Sequence, residues 1–178
     1  MKKLPIIDLL TLALVIGIGF DLYRTHDRLA RLEQISLGSG DALEEAKLLP
    51  IDAIAASGQK VRIDTGTPRL IFYMSPDCGA CGRTMPIWSA VARQVGQEHA
   101  LFLLSDEKAL PKMPAYLGQY NLASFPSVAA DPKVVSRYYM VSYPRTLLVD
   151  AHGKVAKVWR GAISEKDLIA AWKSVSNS

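Results

Sequence analysis

The chain's two cysteines stand three positions apart, as Cys78-Gly79-Ala80-Cys81. Thiols at i and i+3 share one face of a helix, close enough for a disulfide to form and break without large backbone movement. Such a pair suits thiol–disulfide exchange, in which one thiolate attacks a disulfide and its neighbour resolves the mixed disulfide that results. Cys78 reads as the exposed attacking thiol and Cys81 as the shielded resolving thiol. Two blander readings compete. A structural disulfide closing so short a loop adds little stability through chain entropy. A zinc site would want two more Cys or His ligands at recognisable spacing, and His26, His99 and His152 are isolated. No metal ligands are assigned.

A strand and a helix must hold the pair. The apolar run Leu70 to Met74 leads into it, Ser75-Pro76-Asp77 breaks that run, and from Ala80 to Val95 the pattern turns helical with Trp88, Val91, Ala92 and Val95 on one face. The first turn of a helix presents unpaired N–H groups and the positive end of the macrodipole. A cysteine placed there is expected to have a pKa below the ordinary value of about 8.5. Asp77 either caps this helix or acts as an exposed proton acceptor for Cys78, and the preference of Asp for the N-cap favours the first. Arg83 and Arg145 are candidates for positive potential near the site, with surface solvation as the default for both.

Elsewhere, short strands are expected at 49–55, 60–63, 69–74, 100–104, 145–149 and 154–159. Helical segments are expected at 107–122, where Pro111 and Pro114 leave only the second half regular, at 132–139, and after the capping pattern Ser164-Glu165-Lys166-Asp167. The order β-β-β-α-β-α-α-β-β-α implies an α/β domain with a mixed sheet covered by helices. Residues 43–178 form this domain. Hydrophobic residues make up 49% of the chain, enough for a sizeable core, and the charge of +4 lacks any basic run, which gives nucleic-acid binding little support.

Residues 1–23 read as a cytoplasmic tip and transmembrane anchor. Leu4 to Phe20 is apolar except for Asp8 and Thr11, and extension to Tyr23 places an aromatic at the far interface. A cleaved signal peptide is the rival reading, with Gly17 and Gly19 near a cleavage site, but Asp8 interrupts its apolar core and no Ala-x-Ala site follows. Residues 24–42 form a juxtamembrane stalk ending in the linker Leu37-Gly38-Ser39-Gly40-Asp41.

The cysteine motif between strand and helix, Pro86 five residues after Cys81, and Tyr143-Pro144 just before a strand resemble the thioredoxin fold, here with an added N-terminal β-hairpin. Ser142 to Asp150, followed by Gly153 and Lys154, is similar to the closing half of the membrane-anchored TlpA and ResA type. Met74 to Cys78 and Leu104-Ser105-Asp106 also resemble the methylamine-utilisation MauD branch. The resemblance implies a cis-proline at Pro144 beside the cysteines, a Tyr143 backbone free to pair with an extended peptide, and a Pro86 that kinks the active-site helix. With Asp77, Gly79 and Ala80 these residues would shape the site.

By the same resemblance, two expected carboxylates are missing. Phe72 stands where many thioredoxins bury an Asp, and Thr84 where the ResA type has a Glu; Asp77 and Ala80 replace the usual Trp and Pro. The proton route is thereby left open. The implied activity is that of a thiol:disulfide oxidoreductase at the bacterial inner membrane, its domain in the periplasm, reducing disulfides of periplasmic proteins or assisting their disulfide maturation, and re-reduced by a membrane electron donor. It needs no organic cofactor beyond the Cys78–Cys81 disulfide. A soft-metal-binding assembly chaperone of the same fold is the alternative. A peroxiredoxin reading fails because Ile71 stands where its proline belongs. A non-catalytic scaffold would keep its function without either cysteine.

Overall fold

The structure, a computed structural model, describes residues 17, 19, 43–138, 140, 142–161 and 163–177. The anchor and stalk expected over residues 1–42 therefore lie outside the described residues, save for Gly17 and Gly19. Among the described residues no helix is long and apolar enough to cross a membrane.

The unit spanning residues 40–178 is built on a seven-stranded sheet. Its strands are β1 (Ile51–Ala55), β2 (Lys60–Ile63), β3 (Arg69–Met74), β4 (Ala100–Leu104), β5 (Ser127–Ala130), β6 (Arg145–Val149) and β7 (Val155–Arg160), in the order β2-β1-β5-β4-β3-β6-β7. Strands β3, β4 and β5 run parallel, while every pairing on the flanks, β3–β6 and β6–β7 on one side and β5–β1 and β1–β2 on the other, is antiparallel. The helices are α1 (Gly79–Val95), a 3₁₀ turn (Glu107–Lys112) running into α2 (Met113–Gly118), α3 (Pro132–Arg137) and α4 (Glu165–Ser176).

Strand alternation explains why β3 is apolar throughout. Leu70, Phe72 and Met74 face α1 and α4, in one core with Trp88, Val91, Phe102 and Leu168. Ile71 and Tyr73 point the other way, into a second core with Leu101, Leu103, Leu147, Val149 and the N-terminal residues Leu43, Leu48 and Leu49. A strand buried on both faces cannot afford an exposed polar side.

The sequence pattern omitted β5. Ser127-Val128-Ala129-Ala130 has weak strand propensity of its own, and its extended form is set by hydrogen bonding to β1 on one side and β4 on the other. The segment expected to be helical at 107–122 is shorter and split, because Pro111 lies in the 3₁₀ turn and Pro114 opens α2. At the β6–β7 hairpin, Gly153 has φ of +83°, and a Cβ there would lie 2.6 Å from the Leu49 carbonyl oxygen. Only glycine fits both the backbone and the space.

Candidate active site: the cysteine pair at the start of α1

The β3 strand delivers the chain to a short turn, and α1 begins at Gly79. Cys78 itself occupies the N-cap with extended backbone (φ −93°, ψ 109°), and its Sγ accepts the Cys81 N–H at 3.3 Å. The capping role considered for Asp77 thus falls to the cysteine. Exposed Asp77 instead pairs with Lys112 of the 3₁₀ turn, whose Nζ donates to Oδ1 at 3.0 Å and Oδ2 at 2.8 Å. This ion pair joins residues 35 positions apart, beyond the reach of any local pattern.

The two thiols are free and unequal. Cys78 is half-buried and Cys81 fully buried. Burial pushes the Cys78 thiol up, but it is outweighed by hydrogen bonds from the Cys81 thiol and from the backbone N–H groups of Cys81 and Ala80, and by the Arg83 charge. Cys78 therefore stands below its ordinary value. Burial, followed by the hydrogen bond that the Cys81 thiol gives to Cys78, pushes Cys81 up to about 12. One sulfur is prepared to be an anion and the other to keep its proton.

Gly79 and Ala80 form the start of the first turn, with no acidic residue in it. An ideal Cβ on Gly79 would lie 3.9 Å from Arg83 Nη1, so the guanidinium lies beside the motif. Arg83 is exposed as expected. Arg145, expected at the surface, is 1% exposed; its Nη2 donates to Ser142 Oγ at 3.0 Å, and burial together with Arg160 lowers its pKa.

Tyr143 and Pro144 reach the same end of the sheet. Arg145 lies opposite Tyr73 in the antiparallel β3–β6 register, which carries position 144 to the end of β3 where the cysteine turn begins. The Tyr143–Pro144 bond is cis, as is Leu49–Pro50, which the sequence did not single out. Pro144 is buried and its carbonyl accepts the Gly161 N–H at 2.9 Å. The Tyr143 ring is 37% exposed, packs on Tyr73 at 5.1 Å between centroids, and its hydroxyl meets Ser105 Oγ. Pro86 lies further along α1, inside the helix, where it lacks the N–H that would pair with the Gly82 carbonyl.

The two positions emptied of carboxylates are filled in different ways. Phe72 is fully buried, with Trp88 at 5.2 Å and Phe102 at 5.1 Å between ring centroids. Thr84 turns inward on its own helix, Oγ1 donating to the Ala80 carbonyl at 3.1 Å. Among the described residues no group of three or more His, Cys, Asp or Glu could hold a metal ion.

These features can be set beside known proteins. MTB dsbF, solved in mixed oxidised and reduced forms, superposes with a TM-score of 0.59, covering 73% of this chain and 98% of that one at 23% identity. A thio-disulfide isomerase from Thermus thermophilus gives 0.60, with 74% and 96% covered at 20% identity. This chain has the thioredoxin fold. In sequence it is 22% identical over 171 residues to the thioredoxin-like protein YneN of Bacillus subtilis (strain 168), covering 94% of this chain and 96% of that protein. No family model matches.

Lys112, Tyr116 and the burial of Arg145 escaped the sequence reading. No local pattern sets Lys112 apart from the other lysines, and Tyr116 lies in a segment whose prolines obscure its helical face.

Proposed function

We propose that this chain is a thiol:disulfide oxidoreductase that reduces disulfides of other proteins, anchored in the bacterial inner membrane by residues 1–23 with its domain in the periplasm. The observation that carries the reading is the inequality of the two thiols: a half-buried Cys78 below its ordinary pKa beside a buried Cys81 pushed up to about 12. The names borne by two proteins this chain resembles, the Thermus thio-disulfide isomerase and thioredoxin-like YneN, support the chemical class. The reductive direction and the membrane electron donor follow from the resemblance to the TlpA and ResA type. The anchor rests on the apolar run from Leu4 to Phe20 and its charged flanks.

In the reaction, the Cys78 thiolate attacks one sulfur of a substrate disulfide. A Cys78–substrate disulfide forms, and the first substrate thiolate leaves and takes a proton from solvent. Cys81 then gives up its proton to solvent and attacks Cys78 Sγ. The Cys78–Cys81 disulfide forms and the second substrate thiolate leaves, so two electrons pass from protein to substrate. Tyr143 and Pro144 border the approach, and an extended peptide would lie against them.

The test is trapping. Cys81→Ala removes the resolving thiol, so mixed disulfides through Cys78 accumulate and can be isolated under non-reducing conditions. A variant that traps no protein partner would overturn the mechanism. Equilibration of the pair with glutathione at known poise then assigns the direction: a pair more reducing than periplasmic substrates supports the reductase, and an oxidising pair contradicts it.

A further inference from the structure

Resolution of the mixed disulfide requires a negative charge on Cys81 Sγ, inside the core and without the carboxylates that relatives would supply. Most buried polar side chains around the pair are already committed. Thr84 Oγ1 donates to the Ala80 carbonyl, Trp88 Nε1 to Thr146 Oγ1 at 2.9 Å, and Tyr73 Oη to the Met140 carbonyl at 2.6 Å. The Tyr116 hydroxyl differs. It is buried beside the Tyr120 phenol and makes no hydrogen bond of full geometry to that group or to any other.

Its position is specific. Tyr116 and Cys78 both pack against the core cluster that contains Cys81. An ideal Cβ on Gly82, the residue after Cys81, would lie 3.9 Å from the Tyr116 hydroxyl oxygen, so the phenol points at the first turn of α1 where no side chain intervenes. Two contacts hold α2 in place there. Lys112 pairs with Asp77 at its start, and Arg93 Nη1 donates to the Tyr120 carbonyl at 3.0 Å beyond its end. Met113 and Leu117 anchor it in the core.

We propose that Tyr116 donates a hydrogen bond to Cys81 Sγ as that sulfur becomes a thiolate and attacks the mixed disulfide. This deepens the oxidoreductase reading and rests on it. A donor with only a loose contact to Tyr120 in the resting dithiol, and a charged acceptor when the thiolate forms, stabilises the attacking state over the ground state. Burial, then the charge of the Tyr120 phenol and a loose hydrogen bond to it, then the charges of Cys81 and Cys78 push the Tyr116 hydroxyl up, so it stays protonated and remains a donor throughout. It transfers no proton. The proton of Cys81 still leaves to solvent, and the electron balance of the exchange is unchanged.

The test follows both sulfurs separately. The reduced full-length protein is mixed with 5,5′-dithiobis(2-nitrobenzoic acid). Attack by Cys78 releases one thionitrobenzoate, and attack by Cys81 on the resulting Cys78 mixed disulfide releases the second. Tyr116→Phe keeps the ring and removes the hydroxyl. It leaves the first phase at the native rate and slows the second by about tenfold or more, the range for a hydrogen bond to a charged group. Tyr120→Phe, which removes the neighbouring hydroxyl, leaves both phases unchanged. A Tyr116→Phe protein with both phases native, or with both slowed equally, overturns the role of Tyr116 while leaving the oxidoreductase intact. A native protein with no second phase overturns the oxidoreductase reading itself.

Discussion

At the start of α4 the Ser164 hydroxyl accepts the Asp167 N–H at 3.1 Å; at the start of α1 the Cys78 sulfur accepts the Cys81 N–H at 3.3 Å. The backbone device is the same, a side-chain acceptor satisfying an orphan donor of the first turn. The surroundings are not. In α4, Glu165 and Asp167 meet the positive end of the helix with two carboxylates, and the serine is held by Asp167. In α1 the first turn has no acid, and the carboxylate just before the cap, Asp77, is occupied by Lys112. The positive pole is therefore left to the sulfur. One N-terminus is neutralised for stability, and the other is kept unneutralised so that a thiolate can occupy it.

Substituting Cys78→Ser separates these two uses. Serine is a good N-cap, so the domain keeps its fold and melts close to the native temperature. Thiol–disulfide exchange, read as release of thionitrobenzoate or as trapped partner, disappears altogether. A Cys78→Ser protein that failed to fold would show that the sulfur supports the fold in a way a serine cap cannot replace, and would contradict this separation of cap from chemistry. The converse change, Ser164→Ala, removes a cap with no chemistry attached. It lowers unfolding stability by about 1 kcal/mol in denaturant titration and leaves both exchange phases untouched. The smallest effect belongs to Arg83→Gln. Loss of an exposed charge that favours the Cys78 anion slows its alkylation near neutral pH by less than about tenfold, and the difference shrinks in high salt.

The elements around the site were largely legible. An apolar run breaking at Ser75-Pro76-Asp77 before a helical stripe fixes β3, the turn and α1 by local pattern, because burial on both faces and on one face leave different periods. Strand β5 was not legible, since two alanines and a serine become a strand only when β1 and β4 pair with them. The cap on α1 was misassigned to Asp77 because aspartate is the usual choice there, and the cysteine that displaced it does so for a chemical reason. Arg145 illustrates a different limit. Its charge argued for the surface, whereas the cross-strand position between Tyr73 and Arg160 places it 1% exposed. Tyr116 and Lys112 act across gaps of more than thirty residues from the cysteines, so only the folded chain brings them to the pair.

The central claim is that two cysteines on one helical turn differ in acidity because one caps the helix and the other is buried beneath it. It is tested most directly by alkylating the reduced protein across a pH series and locating the label by peptide mass. The expected result is modification of Cys78 with a midpoint below that of an ordinary thiol, while Cys81, pushed up to about 12, stays unmodified through neutral and mildly alkaline pH. Equal labelling of both cysteines with one ordinary thiol midpoint would contradict it.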